Sequence, residues 1–384
     1  MRIVYIIESL AFKGGTERML TAKANYLADH YGYDISIITC VQQNSSSNTF
    51  PLSSKVKQIN ISIPYYFQYK YKYPKRIWVK IKMYRRLQRT ITNTIREINP
   101  DIIIGVCHYK ANIVSSIKCK AMIIIECHEI RSFTLSGVHQ HRSFFSKLYM
   151  HYYRNLYFRT IEKKADAIVT LTEGDKLLWK KAKRVEVIPN FSTIAVNQLS
   201  DCEAKRVIAV GRLEKEKGFE RLLEAWKPIV HKHPDWKLDI FGEGTLREKL
   251  ESYIQENGLS NVMIHQRTTD ISSEYQHSSI CVMTSFCEGF ALVLLEALKH
   301  GVPCVAFDCP YGPRNIIKDN NCGFLVEDGN IELLTDKICT LIEDSKLRSR
   351  FSEAAINQAK GFNEDVIMEM WNSLFKTLIQ QKRK

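Results

Sequence analysis

Two glutamates flank a glycine turn in the C-terminal half of the chain. Glu288 precedes Gly289, and Glu296 lies eight residues after Glu288, inside a predicted helix. Carboxylates accept paired hydrogen bonds from vicinal hydroxyls, so one acid can reach a sugar and the other a ribose. The amides of Phe290 and Ala291 near the helix start suit a phosphate. Alternatively, Glu288 caps the helix and Glu296 is solvated, although the apolar neighbours of Glu296 disfavour an unpaired carboxylate.

Two cations lie in a second strand-to-helix connection. A predicted strand ends at Gly211-Arg212, and Lys217-Gly218 then leads into the next helix. Cations at both ends of such a loop can neutralise a diphosphate without a metal ion. Glu214 and Glu216 lie between them, so a solvated loop of mixed charge is the alternative.

The N-terminal half carries two weaker signals. Gly14-Gly15 joins the first predicted strand to the first helix, and a glycine pair there lets the backbone approach a ligand closely. The spacing is not GxGxxG, so nicotinamide-type dinucleotide binding is unsupported. His128 follows the predicted strand Met122–Ile125 and can hydrogen-bond a transferring sugar hydroxyl. A simple tight turn and a structural histidine are the alternatives.

The elements that must position these residues are short apolar strands alternating with helices. Runs such as Ile3–Ile7 and Ile102–Val106, separated by helical segments, indicate parallel sheets covered on both faces. A second series begins at Arg206 after an aperiodic linker that starts at Pro189. We therefore predict an α/β protein with two Rossmann-like domains, at 1–190 and 203–362, and ligands in the cleft between them. We expect segment 363–384 to be a helix that returns toward the N-terminal domain.

Together these segments resemble the family 4 glycosyltransferases of the GT-B fold over nearly the whole chain. The most specific element is the E-x7-E pattern of Glu288 and Glu296. The resemblance implies retaining, metal-independent transfer from a nucleotide sugar, without a clear protein nucleophile. It implies that Arg212 and Lys217 hold the donor diphosphate, Glu288 the sugar and Glu296 the ribose, with His128 near the reacting centre. The remaining candidate donor-binding residues are Gly14, Gly15, Gly211, Gly242, Arg267, Gly289, Phe290, Ala291 and Leu292.

The base pocket departs from the family pattern. Relatives often have a glycine after the strand matched by Val262–His265, whereas this chain has Gln266 and Arg267. We predict a uridine donor, and a guanosine donor, as in a GDP-mannose-type mannosyltransferase, stays open. A soluble sugar-nucleotide enzyme such as an epimerase is the alternative within the fold.

The charge of the chain is unevenly placed, at +18 for residues 1–200 and −4 for residues 201–384. The stretch Tyr65–Arg89 holds nine Lys or Arg residues, eight aromatic residues and no acid, and His139–Arg159 repeats the theme. Cations interleaved with aromatic rings suit an anionic bilayer, and from Pro74 onward the pattern is that of an amphipathic helix. A solvated face is the alternative, and no nucleic-acid motif is present. We expect docking on an anionic membrane, where a lipid-linked or oligosaccharide acceptor would lie.

The remaining features concern compartment and class. No apolar run approaches the length of a spanning helix, and Glu8 interrupts the apolar start, so we expect a cytoplasmic protein, peripheral on the inner face of the plasma membrane. Eleven cysteines without a CxxC pair indicate free thiols and no metal site. Those expected to be buried are Cys40, Cys119, Cys127, Cys281 and Cys304. A non-catalytic adaptor is the alternative from a different class, and the four charged candidate residues of the C-terminal half speak against it.

Overall fold

Two parallel sheets, each in a separate unit of the chain, carry the fold of this computed structural model. The N-terminal unit comprises Met1–Ile188 and Ile367–Lys384, and the C-terminal unit comprises Pro189–Val366. The structure describes residues 1–42, 48–63, 69–72, 74–106, 111–128, 131 and 144–383, with the backbone alone for 144–151 and 383.

The N-terminal unit alternates strands with helices. Its elements are β1 (Arg2–Ile7), α1 (Gly15–Asp29), β2 (Asp34–Thr39), β3 (Lys57–Asn60), α2 (Lys75–Ile98), β4 (Ile102–Val106), α3 (Ala111–Val114), β5 (Met122–Glu126), α4 (Phe144–Lys164), β6 (Ala167–Thr170), α5 (Glu173–Lys176) and β7 (Val185–Val187). The described strands form one parallel sheet in the order β3-β2-β1-β4-β5-β6-β7.

The C-terminal unit repeats this plan. Its elements are β8 (Arg206–Val210), α6 (Phe219–Lys232), β9 (Lys237–Phe241), α7 (Arg247–Glu256), β10 (Val262–His265), α8 (Ile271–Gln276), β11 (Ile280–Met283), α9 (Leu292–Lys299), β12 (Cys304–Phe307), β13 (Gly323–Val326), α10 (Ile331–Glu343) and α11 (Ser345–Ala359). The parallel strand order is β10-β9-β8-β11-β12-β13. The predicted fold class, two Rossmann-like α/β domains, is confirmed.

Each sheet has a point where the strand order reverses, and ligands of such sheets bind outside the carboxyl ends of the strands there. In the N-terminal unit the reversal lies between β1 and β4, and in the C-terminal unit between β8 and β11. The second pair of strands leads directly into the loops that contain Gly211-Arg212 and Ser285–Glu288.

The last helix, α12 (Glu364–Arg383), belongs to the N-terminal unit from Ile367 onward. Its buried side chains recur at helical spacing, which gives the helix one apolar stripe for the core; they are Ile367, Met368, Trp371, Leu374, Phe375 and Leu378. Tyr33 Oη donates to Asn372 Oδ1 at 2.7 Å and so adds a polar tie between the helix and the rest of that unit.

Three details differ from what sequence patterns indicate. The edge strand β3 is only partly buried and α8 is a short polar helix, so neither carries a strong apolar period. Cys119 is exposed in the turn before β5, so its predicted burial was wrong, whereas Cys40, Cys127, Cys281 and Cys304 are buried free thiols as predicted.

Parts of the two basic segments lie outside the described residues, among them Tyr65–Phe67, Tyr73 and His139. Within the described part of the chain, no helix combines the length and the apolar composition needed to cross a membrane.

Candidate active site

The loops after β8 and β11 bring one predicted cation and one predicted acid into contact. Lys217 Nζ donates to Glu288 Oε1 at 2.6 Å, and Ser285 Oγ donates to the same oxygen at 2.6 Å. The side chains of Lys217 and Glu288 are 22% and 12% exposed. Both side chains are partly buried but remain accessible to solvent. An incoming anion can therefore replace Glu288 as the partner of Lys217, and an incoming hydroxyl can replace Lys217 as the partner of Glu288.

The backbone of the two loops is joined directly. Thr284 Oγ1 lies 3.0 Å from the carbonyl oxygen of Gly218, to which it donates, and the Phe286 amide donates to the Glu216 carbonyl at 2.9 Å. Gly218 has φ +65°, and a Cβ there would collide with the Thr284 carbonyl. Only glycine fits this left-handed, closely packed position. Gly218 therefore fixes the backbone position of its neighbour Lys217 beside the loop after β11.

Two further candidate glycines lie at neighbouring strand ends. The Gly211 amide donates to the Phe241 carbonyl at 3.0 Å, and the Gly242 amide donates to the His265 carbonyl at 3.3 Å. A Cβ on Gly242 would overlap the Gly211 carbonyl oxygen. The ends of β8, β9 and β10 therefore approach more closely than any side chain at Gly242 would allow.

The two candidate arginines are not drawn into the Lys217–Glu288 pair. The Arg212 side chain is 72% exposed and donates to Glu216 Oε1 at 2.6 Å. Arg267 is exposed and follows β10 by two residues. Both lie on loops at the carboxyl ends of strands, where a ligand can recruit them.

The turn before α9 has an uncommon backbone conformation. Ala291 caps the helix with φ +53°, an uncommon value for a residue with a Cβ, and both Phe290 and Ala291 are buried. Glu288 pairs with Tyr311 through an isolated bridge. This places Gly289, Phe290, Ala291 and Leu292 in one tight bend at the start of the helix.

Glu296 occupies a different environment from Glu288. It is only 4% exposed, which excludes a solvated surface carboxylate. Tyr275 Oη donates to Glu296 Oε2 at 3.3 Å. Burial and the adjacent Glu296 carboxylate raise the pKa of Tyr275 well above its usual value, so the phenol remains a donor. The Tyr275 hydroxyl therefore supplies a hydrogen bond to one oxygen of the buried Glu296 carboxylate.

Gly14, Gly15 and His128 belong to the N-terminal unit. Gly14 caps α1 with an extended backbone, and Gly15 is its first residue. Burial raises the pKa of Glu17, in the first turn of α1, while its hydrogen bonds to backbone amides and the nearby His128 oppose that rise. The glycine loop after β1 and the histidine after β5 are therefore neighbours at one edge of this sheet.

His128 itself lies beside a buried charge pair. Its Nε2 lies 3.2 Å from Glu126 Oε1, and the side chain of His128 is 5% exposed. Glu126 in turn contacts Lys23 of α1, and the two side chains are 1% and 2% exposed. The histidine thus lies beside an acid whose charge Lys23 balances inside the protein.

Among the residues of these sites that escaped prediction are Lys23, Ser285 and Tyr275. Lys23 lies on the same helical face as the buried Leu20, Ala24 and Leu27, and a lysine within an apolar stripe is the signal that would have found it. Ser285 follows an apolar strand directly. Tyr275 lies in the short helix α8, whose polar sequence offers no comparable signal.

Among the described residues, one group has the chemistry of a metal site. Ligand atoms of His233, Cys339 and Glu343 lie within 4.8 Å of one another. Lys232 Nζ lies 2.6 Å from Glu343 Oε1, so an ammonium competes with any cation there. The group lies at the ends of α6 and α10, helices that follow strands of the sheet and return toward the amino ends of the strands, away from Lys217 and Glu288.

Comparisons with known proteins agree with this architecture. A family model described as Glycosyltransferase Family 4 matches residues 13–192, and one described as Glycosyl transferases group 1 matches residues 191–358. An uncharacterized glycosyltransferase of Haemophilus influenzae is 30% identical over 97% of this chain and 99% of its own. The amylovoran biosynthesis glycosyltransferase AmsD of Erwinia amylovora is also 30% identical, with the same coverage of 97% and 99%.

Solved structures share the fold at lower identity. Sucrose-phosphate synthase from Thermosynechococcus elongatus is 15% identical, with a TM-score of 0.80 and 99% of each chain covered. HepE of Anabaena, solved in complex with UDP, is 18% identical, with a TM-score of 0.72 over 98% of this chain and all of its own.

Proposed function

Since this chain belongs to the family 4 glycosyltransferases of the GT-B fold, we propose that it transfers a hexose or N-acetylhexosamine from a UDP-sugar to a glycan acceptor with retention of configuration. The observation that carries the proposal is the contact between Lys217 and Glu288 at the point where the strand order of the C-terminal sheet reverses.

In this proposal Lys217 exchanges Glu288 for the donor diphosphate. The ammonium then balances negative charge as the nucleotide leaves, work that a metal ion does in other transferases. Arg212, which a surface ion pair with Glu216 holds only weakly, joins Lys217 on the diphosphate. Glu288, released from the lysine, accepts hydrogen bonds from hydroxyls of the transferred sugar, and the amides of the Phe290–Leu292 bend contact sugar or phosphate.

The remaining candidates complete the donor site. Glu296 accepts the ribose hydroxyls, His128 bonds the sugar near the reacting carbon, and Arg267 lies by the base. Retention then requires that the leaving group departs and the acceptor attacks on the same face of an oxocarbenium-like centre, without a protein nucleophile. Support for uridine comes from HepE, which was solved with UDP. A GDP-mannose-type transferase and a sugar-nucleotide epimerase are the alternatives.

The nucleotide is tested by thermal unfolding in the presence of EDTA with UDP, GDP and ADP in turn. UDP at one hundred times its dissociation constant should stabilise the protein by about 2.7 kcal/mol. Stabilisation by GDP instead of UDP would replace the uridine assignment. The absence of a shift with every nucleotide would favour a non-catalytic adaptor. Once a nucleotide is found to stabilise the protein, product analysis with a panel of its sugar derivatives identifies the transferred sugar.

We further propose that the acceptor is a lipid-linked or oligosaccharide intermediate of a surface polysaccharide, built at the inner face of the plasma membrane. The supporting relative is AmsD, whose name assigns it to amylovoran biosynthesis. The surface that fits a membrane is one face of α2. Residues at helical neighbour positions line that face, and all are exposed: Lys75, Trp78, Lys82, Arg85 and Arg89.

The apolar content of this face favours a bilayer over a solvated helix. Trp78 is 75% exposed, and Ile77 and Ile81 beside it are 45% and 41% exposed. The four cations of this face attract anionic headgroups, and each one near an anionic leaflet contributes about 1 kcal/mol to membrane binding. The exposed indole of Trp78 can insert at the membrane–water interface.

Vesicle flotation tests the membrane proposal. The protein should float with vesicles that contain phosphatidylglycerol and stay behind with phosphatidylcholine alone, and Trp78→Ser and Arg85→Gln should each weaken capture. Lys346→Gln is the matched control, because Lys346 is exposed in the C-terminal unit. Equal capture of all variants, or no capture at low salt, would contradict the docking face.

A further inference from the structure

The N-terminal unit contains a fully buried pair of opposite charges. Lys23 on α1 and Glu126 at the end of β5 form a hydrogen-bonded ion pair, and their side chains are 2% and 1% exposed. Burying two charges costs more free energy than an apolar pair of similar size in the same place. A contribution to folding stability therefore does not by itself explain why this buried ion pair is present.

The surroundings hold both groups in place. Lys23 Nζ lies 4.6 Å from the ring centroid of Trp371, which belongs to α12 and is 2% exposed. Burial lowers the pKa of Lys23, and Glu126 opposes that shift. Burial alone would raise the pKa of Glu126, but Lys23 and His128 outweigh it and hold that pKa at about 2. The Glu126 carboxyl is therefore ionised at neutral pH.

The ionised carboxylate has a third neighbour. His128 Nε2 lies within ion-pair distance of Glu126 Oε1, at 3.2 Å, and that nitrogen has no partner with full hydrogen-bond geometry among the described residues. A carboxylate beside one ring nitrogen of a histidine favours a proton on that nitrogen and fixes the ring orientation. In the neutral imidazole this arrangement leaves Nδ1 as the acceptor.

We propose that Glu126 is a positioning residue that fixes the orientation and the tautomer of His128, and that Lys23, packed against Trp371, keeps the Glu126 carboxylate in place for that task. The proposal rests on the role at the donor sugar proposed above for His128. The C-terminal helix α12 then contributes to the surroundings of His128 within the N-terminal unit. Its Trp371 packs against Lys23, Lys23 pairs with Glu126, and Glu126 lies beside His128.

The competing explanation is that the pair only joins α1 to β5. A charge-neutral double variant separates the two explanations. Lys23→Met with Glu126→Gln removes both buried charges at nearly constant volume, so folding does not leave an unpaired ion in the core. Glu126→Gln alone and Lys23→Met alone each leave one, and both should unfold at lower temperature than the double variant.

Turnover is measured with the donor identified by the sugar-nucleotide panel. Glu126→Gln should lower kcat about 10-fold or more, the usual size of effect for a partner that orients a histidine, with the nucleotide dissociation constant changed less than about 2-fold. The double variant should regain thermal stability and keep the low kcat. Adding Glu126→Gln to His128→Ala should lower kcat no further, because the two residues act as a unit. Recovery of kcat in the double variant, or losses that multiply, would overturn the proposal.

A second readout needs no substrate. Nitrogen NMR of protein labelled at histidine distinguishes the two tautomers, and His128→Ala assigns the signal among the eleven histidines. Wild-type His128 should show a protonated Nε2, and this preference should be lost in the double variant. An unchanged tautomer would overturn the positioning role. If the tautomer changes as expected while His128→Ala keeps full turnover, the proposed function of His128 fails and the positioning of its ring stands.

Discussion

Replacing Lys217 by methionine should weaken binding of UDP by about 1.5–3 kcal/mol, the contribution of one hydrogen bond to a charged group. In the unliganded protein the ammonium donates to Glu288 Oε1 at 2.6 Å from a side chain that is 22% exposed. In the proposed complex, the diphosphate therefore meets a cation that is already oriented and partly desolvated. The dissociation constant should rise about 10- to 150-fold.

Isothermal titration calorimetry with UDP, in the presence of EDTA, measures this change. Lys215→Met is the matched control. Lys215 lies two residues earlier in the same loop and is exposed, and its replacement by methionine also removes one positive charge. That control should change the dissociation constant less than about 2-fold, since exposed charges are screened over about 8–10 Å at moderate ionic strength.

Equal losses in Lys217→Met and Lys215→Met would mean that the loop acts through its net charge and not through a contact. An unchanged dissociation constant in Lys217→Met would refute the assignment of Lys217 to the diphosphate. If Lys217→Met binds UDP as tightly as the wild type when EDTA is replaced by Mg²⁺, a metal ion beside the phosphates would be indicated instead.

Three other substitutions test the site and its support. Glu288→Gln should lower kcat about 100-fold, because we propose that this carboxylate contacts the transferred sugar. The melting temperature should stay near that of the wild type, because the side chain is not fully buried. Steady-state kinetics and calorimetry measure the two effects, and full activity would remove Glu288 from the site. Gly242→Ala should destabilise the protein by about 1–3 kcal/mol in urea unfolding and weaken UDP binding, since its Cβ meets the Gly211 carbonyl, whereas Gly361→Ala, which has open space around it, should be neutral. Glu126 has a folded pKa of about 2, below its usual 4.5, so its contribution to stability is present above pH 4.5 and is lost as the pH falls toward 2. The difference in unfolding free energy between wild type and Glu126→Gln should therefore shrink by roughly 2 kcal/mol from pH 6 to pH 3, and a constant difference would contradict the depressed pKa.

Local patterns in the sequence were enough to predict the fold class and the loops that carry the candidate donor-binding residues. Apolar β-branched runs such as Ile102–Val106 became buried parallel strands, and the strands ending before Gly211 and Ser285 lead into those loops. These predictions succeeded because strand formation and strand-to-helix turns depend on neighbouring residues, whose apolar period and glycine content are visible in the sequence. The polar edge strand β3 lacks such a period and was not predicted.

Contacts between distant residues required the tertiary structure. Lys217 and Glu288 are 71 residues apart and meet because β8 and β11 are neighbours in the sheet, an order that no local pattern specifies. Glu296 is buried beside Tyr275, whereas Glu288 is paired with a lysine, although both acids belong to one sequence motif. The sequence by itself determined which acids and cations stand at the strand ends. The packing of strands and helices determined which of them touch, because burial and charge pairing depend on the neighbours that the folded chain brings together.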